Sequence, residues 1–248
     1  TPEYGEGLDQ LLMELRSKVF GIVNGIDTEE YNPETDKLIP QNYSASDLGG
    51  RVKNKIALQK EFGLSQNPDI PVIGYVGRLD VQKGLGLMFE ILWPLLNLYE
   101  NLQFVEVGGG NGAYVESLKK LAKDFPKQVG IHPMPNFTLP RLVFSGADIV
   151  LFPSKFEPCG IVQMEAMHYG AVPIVRATGG LADTVENFDP LKKSGDGFVF
   201  KEFNRWEFFA QIIRALEVYN HKEVWRGIMV RGMQKDFSWG KAAERYEN

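Results

Sequence analysis

From residue 72 onward, short apolar runs alternate with longer stretches of helical periodicity. The apolar runs fall at 72–76, 102–107, 129–132, 148–152, 172–175 and 197–200. Helical patterns follow them: from Leu85, over 113–123, 139–144, 161–169 with Gly170 to end it, and 181–186. Trp206, Phe209, Ile213 and Leu216 mark one more helix. Runs that are apolar on both faces and alternate with helices predict a parallel sheet covered on both sides. Its crossovers are expected to be right-handed. The predicted class is therefore α/β, a doubly wound, mainly parallel, Rossmann-like sheet. Ligands in such sheets bind beyond the carboxyl ends of the strands. Chemistry is expected in the loops that follow them.

The first part of the chain is less regular. Leu8, Leu11, Leu12 and Leu15 have the spacing of one helical face over 8–18. Residues 19–23 (Val-Phe-Gly-Ile-Val) predict a short buried strand, and Asn24-Gly25 a turn. The polar stretch 27–43, with Pro33 and Pro40, predicts a surface loop. Ser44 and Asp47 have the arrangement of a cap at a helix start. Leu48, Val52, Ile56 and Phe62 continue that helix, and Gly63 can end it.

Composition narrows the function classes. Hydrophobic residues make up 44% of the 248, which excludes a disordered chain. The net charge of −5 argues against nucleic acid as a partner but leaves room for a small basic pocket. A single cysteine excludes an internal disulfide or a cysteine-built zinc site. His132, His168 and His221 are too scattered to suggest a metal centre. The opening Thr1–Glu6 is acidic and unlike a signal peptide. The stretch 85–98 is broken by Glu90 and Pro94 and is shorter than the ~20 residues that cross a bilayer. A cytoplasmic protein with no membrane partner is expected.

Four of the loops carry candidate chemistry. In Gly77-Arg-Leu-Asp-Val-Gln-Lys-Gly84, Arg78 and Lys83 suit a diphosphate, one as a planar fork and one as a point charge. A solvated surface loop is the plain alternative. Gly108-Gly-Gly-Asn-Gly-Ala113 satisfies a permissive dinucleotide fingerprint. That fingerprint also wants an acid at the end of the next strand, where this chain has His132-Pro133. A tight turn allowing close backbone approach is the favoured reading. Pro153-Ser-Lys-Phe-Glu-Pro-Cys-Gly160 leads into a helix, with Glu157 before it and Glu165 two turns along it, so the two carboxylates lie at different depths. A lone acid before a helix is often only a dipole partner. Cys159, with no histidine near it in sequence, is expected to be a packed side chain rather than a nucleophile. In Arg176-Ala-Thr-Gly-Gly-Leu181, Thr178, Gly179 and Gly180 form a helix-start anion site. There is no D-x-D, no phosphate-binding G-x-x-x-x-G-K-[ST], no G-x-S-x-G and no H-E-x-x-H.

Five segments together carry a resemblance: Asn24–Asp27, Gly77–Gly84, Pro153–Gly160, Thr178–Val185 and Asp236–Trp239. The F-E-P-C-G and T-G-G-L-A-D-T-V motifs are the most specific of these. The chain resembles the C-terminal, donor-binding half of bacterial glycogen synthases and plant starch synthases, retaining glycosyltransferases of the GT-B fold. The resemblance implies transfer of glucose from ADP-glucose to the non-reducing end of an α-1,4-glucan. It implies Glu157, Arg78 and Lys83 as catalytic residues, the last two on the diphosphate. Cys159 and Gly160 then flank the sugar, Glu165 holds the ribose, and Thr178, Gly179 and Gly180 bind phosphate. Phe137 is the candidate platform for adenine. No cofactor and no metal are implied. Residues 1–18 are expected to link to an N-terminal domain that supplies the acceptor site, with the nucleotide-sugar domain at 19–248. The chain alone is expected to be inactive or weakly active. The alternatives are another GT-B enzyme using a different sugar nucleotide, or a nucleotide- or glucan-binding module without activity of its own.

Overall fold

The computed structural model describes residues 7–247. The acidic opening Thr1–Glu6, and with it the start of the expected linker, lies outside the described residues.

Six strands form one parallel sheet: β1 (Val72–Val76), β2 (Gln103–Val107), β3 (Val129–His132), β4 (Ile149–Phe152), β5 (Val172–Arg176) and β6 (Phe198–Phe200). Their order is β3-β2-β1-β4-β5-β6, and every pairing is parallel. This is the doubly wound order, which reverses direction between β1 and β4. The helices in chain order are α1 (Asp9–Glu14), α2 (Gly50–Glu61), α3 (Leu85–Leu98), α4 (Gly112–Asp124), α5 (Leu139–Gly146), α6 (Val162–His168), α7 (Gly179–Thr184), α8 (Arg205–Tyr219), α9 (Lys222–Met233) and α10 (Trp239–Glu247). One core layer joins α3, α4 and α8 to Ile73, Phe104, Leu151, Ile174 and Phe198. The other joins α2, α5, α6 and α7 to Val72, Val105, Val150 and Val175. Successive residues of a strand point to opposite faces, so both layers draw on the same strands. None of the described helices is long and apolar enough to cross a membrane.

The N-terminal part departs from its sequence pattern. No strand forms over 19–23, where Val19 and Phe20 are exposed. A strand needs a free neighbouring edge, and here the chain makes one bridge only, Ile26 to Ser238. The leucines of α1 are all exposed as well. Within 27–43, Asp36, Ile39 and Tyr43 are buried, so this is not wholly a surface loop.

Ser44 and Asp47 do not cap α2. Ser44 Oγ accepts from the Asp47 amide at 3.2 Å and Asp47 Oδ1 from the Gly49 amide at 2.9 Å, building a turn ahead of it. The buried face of α2 is Arg51, Asn54, Lys55, Leu58 and Gln59, while Val52 is exposed. Arg51 donates to the carbonyls of Phe144, Ala147 and Tyr169, and Lys55 pairs with Asp148 at 2.7 Å. A buried cation without such partners would carry a desolvation cost of several kcal/mol.

Candidate active site

Strand order reverses between β1 and β4, so the loops after these two strands face each other across a crevice. A cavity of about 260 Å³ lies there. Arg78 and Lys83 come from the loop after β1, and Ser154, Glu157 and Gly160 from the loop after β4. The Lys83 ammonium pairs with Glu157 Oε2, and Ser154 Oγ donates to the same oxygen at 3.2 Å. The two charged side chains are 23% and 12% exposed, so the pair is largely withdrawn from water. Arg78 is different. Its side chain is 66% exposed at the rim, 3.6 Å from Asp80. The dipole-partner reading of Glu157 fails, because α6 begins five residues later, with Ile161 as its N-cap.

Arg176, which has no role in the sequence reading, fixes this loop. Its Nε donates to the Ser154 carbonyl at 2.9 Å, Nη1 to that of Lys201 at 3.2 Å and Nη2 to that of Lys155. The Lys155 amide donates to the Gln82 carbonyl at 2.7 Å, which ties the β4 loop to the β1 loop. Arg176→Met is expected to lower stability by ~1–3 kcal/mol in urea denaturation, about the worth of one charge-assisted hydrogen bond, because of the three bonds lost only that to Ser154 is withdrawn from water. Arg176→Lys should recover little, because an ammonium cannot span three separated carbonyls as a fork does. Equal stability of Arg176→Met and the parent chain would remove this role.

The glycines of the fourth loop serve the third. A Cβ on Gly180 would lie 1.6 Å from the Cys159 carbonyl oxygen, so only glycine lets the segments touch. The Gly180 amide donates to the Glu157 carbonyl at 3.0 Å. The Thr178 amide donates to the Arg176 carbonyl at 2.9 Å. This narrows the anion site expected at Thr178, Gly179 and Gly180, because two of its three main-chain donors are already used. Gly179 is exposed, and the Thr178 side chain does not cap α7. Cys159 is half-buried, and its Sγ accepts from the Asn24 amide at 3.3 Å.

Glu165 does not line the cavity with Glu157. Burial pushes its carboxyl up to about 7, opposed by Arg141 and reinforced by Glu30. Arg141 in turn pairs with Glu30 and lies over the Tyr31 ring at 4.3 Å. Phe137 is 93% exposed and also lies outside the cavity lining.

The glycine-rich loop after β2 supports the site from behind. A Cβ on Gly108 would lie 1.8 Å from the Gly77 carbonyl oxygen. Leu79 donates to the Gly109 carbonyl at 3.0 Å, and Asn111 donates to that of Leu79 at 2.8 Å. These contacts bear out the close-approach reading. Among the described residues, no group of three or more His, Cys, Asp or Glu is placed to hold a metal.

An open parallel sheet with a cation–carboxylate pair at its switch point defines a Rossmann-like α/β ligand-binding domain. The chain belongs to the glycosyl transferases group 1 family, whose model matches residues 58–226. It is 44% identical over 246 residues to a glycogen synthase of Kosmotoga olearia, covering 99% of this chain and 51% of that protein. Glycogen synthase 2 of Geobacter sulfurreducens is 45% identical over 247 residues, covering 100% of this chain and 51% of the relative. The chain thus spans about half the length of the curated relatives it matches. Among solved structures, the catalytic domain of starch synthase IV from Arabidopsis thaliana, bound to ADP and acarbose, superposes with a TM-score of 0.92. It is 35% identical, and the match covers 100% of this chain and 51% of that one. A sucrose-phosphate synthase from Thermosynechococcus elongatus, at 20% identity and a TM-score of 0.65 over 96% of this chain and 54% of its own, shares the fold. The resemblance to one half of a GT-B glycogen or starch synthase is borne out.

Proposed function

We propose that the chain is the donor half of an α-1,4-glucan synthase. It binds ADP-glucose while a second half presents the glucan, and glucose is transferred with retention to the non-reducing end. The observation that carries this reading is the Lys83–Glu157 pair in the switch-point cavity. The adenine nucleotide follows from the ADP in the starch synthase IV neighbour.

Lys83 and Arg78 take the diphosphate in this reading. As phosphate oxygens engage Lys83, they compete with Glu157 for its ammonium. The released carboxylate faces the glucose, with the backbone of Cys159 and Gly160 beside the sugar hydroxyls. Glu165 holds the ribose. Thr178 and Gly179 face the phosphates, and Gly180 holds the Glu157 carbonyl. When the anomeric C–O bond breaks, negative charge grows on the departing diphosphate and positive charge on the anomeric carbon. Fixed cations beside the first and a carboxylate beside the second stabilise the transition state more than the ground state. The cytoplasm is the expected setting.

Calorimetric titration of the chain with ADP-glucose, UDP-glucose and a maltooligosaccharide tests this, each with and without a chelator. ADP-glucose should bind most tightly, and EDTA should leave its affinity unchanged. Preference for UDP-glucose would point to a different GT-B enzyme, and binding of the oligosaccharide alone to a glucan module. Binding lost in EDTA and restored by Mg²⁺ would overturn the assignment of the diphosphate to Arg78 and Lys83.

A further inference from the structure

In the switch-point cavity, both side-chain partners of the Glu157 carboxylate act on one of its oxygens. The Lys83 ammonium pairs with Oε2, and the Ser154 hydroxyl donates to the same atom at 3.2 Å. Among the described residues, no donor reaches Oε1. The carboxylate is therefore anchored through one oxygen, and the other is left unengaged.

Once a diphosphate takes Lys83, the anchor has to come from another donor. Besides Lys83, the lining side chains that carry donors are Tyr75, Arg78, Ser154 and Gln163. Tyr75 gives its one hydroxyl proton to the Arg78 carbonyl at 2.8 Å. Gln163 Nε2 donates to the Gly160 carbonyl at 2.8 Å and to Thr184 Oγ1 at 3.1 Å, so both its protons are committed. Arg78 lies at the rim beside Asp80 and takes the diphosphate in the donor reading. That leaves the serine.

Ser154 is held in place for such a task. It is buried, its carbonyl accepts from Arg176 Nε at 2.9 Å, and the next amide, that of Lys155, donates to the Gln82 carbonyl at 2.7 Å. The main chain of Glu157 is fixed from the other side. Its carbonyl accepts from the Gly180 amide at 3.0 Å, and a Cβ on Gly179 would lie 2.0 Å from that oxygen. A neutral donor also suits the chemistry. It orients the carboxylate without cancelling its charge, whereas a second cation would offset the field that stabilises a positive anomeric carbon.

We propose that Ser154 is a positioning residue: its hydroxyl holds Glu157 towards the anomeric carbon after the diphosphate has drawn Lys83 away. This role rests on the donor reading of the cavity.

The test is made in a full-length enzyme carrying this chain, with ADP-glucose as donor and a maltooligosaccharide as acceptor. Ser154→Ala should lower kcat about 10- to 100-fold, the range for one hydrogen bond to a charged group, and leave ADP affinity within about twofold. In a Glu157→Ala background there is no carboxylate to hold. Adding Ser154→Ala there should change the residual kcat, measured at high enzyme concentration, by less than about twofold. Normal kcat in Ser154→Ala, the same fold-loss in both backgrounds, or a loss of ADP affinity alongside kcat would overturn the role while the donor reading stands. Full turnover in Glu157→Ala, or no binding of ADP by the parent enzyme, would remove the donor reading and this role with it.

Discussion

Glu157→Gln, in a full-length enzyme carrying this chain, is expected to depress turnover by several orders of magnitude while ADP binding becomes tighter. The two effects have separate causes. Glutamine keeps the shape of the side chain but leaves the anomeric carbon without its facing charge as the glycosidic bond breaks. That loss belongs to the transition state and should appear in kcat. ADP carries no glucose and does not need the carboxylate. In the structure that carboxylate holds the Lys83 ammonium, and removing its charge frees Lys83 for phosphate. If Glu157 served only to hold Lys83 in place, the substitution would change ADP affinity and leave turnover at saturating donor nearly intact. Steady-state kinetics and ADP titration of the same variant separate the two outcomes.

The second large effect concerns Glu106, beneath the same site. It lies on β2 in register with Tyr75, is fully buried, and neither carboxylate oxygen has a hydrogen-bond partner. Burial pushes its pKa from 4.5 up to about 8. Below the unfolded value both states hold the proton and there is no penalty. As pH rises from there towards 8, the unfolded chain releases the proton while the folded chain keeps it. Stability therefore falls across this window and levels off above it. The penalty at pH 7 is on the order of 3 kcal/mol, from ~1.4 kcal/mol for each unit of separation. Glu106→Leu should remove it. Urea denaturation at pH 5 and pH 8 should show its advantage over the parent chain growing by roughly 3 kcal/mol. An advantage independent of pH would mean that Glu106 is ionised in the fold. The effect bears on the site because Tyr75, beside Glu106, donates its hydroxyl to the Arg78 carbonyl at 2.8 Å.

The strands from β1 to β6 were legible because each is apolar on both faces and is followed by a helical pattern. Their topology then placed Arg78, Lys83 and Glu157 in loops at the carboxyl ends of the strands. Nothing in the spacing revealed that Lys83 and Glu157 touch, since they are 74 positions apart and meet only through the pairing of β1 with β4. Arg176 was illegible for a related reason. Its three carbonyl partners come from two distant segments, and a carbonyl has no residue-type signature. The α2 face misled because periodicity assumes that buried positions are apolar. There the chain ends of α5 and α6 present carbonyls that Arg51 can satisfy. Apolar residues 19–23 suggested a strand, but composition does not provide a free sheet edge.

The central claim is that the switch-point cavity binds a nucleoside diphosphate through Lys83. Calorimetric titration of ADP into the chain and into Lys83→Ala, side by side, tests it most directly. A charge-assisted hydrogen bond is worth ~1.5–3 kcal/mol, so Lys83→Ala should bind ADP on the order of 10- to 100-fold more weakly. Equal affinity in the two proteins, or no binding of ADP by the parent chain, would contradict it.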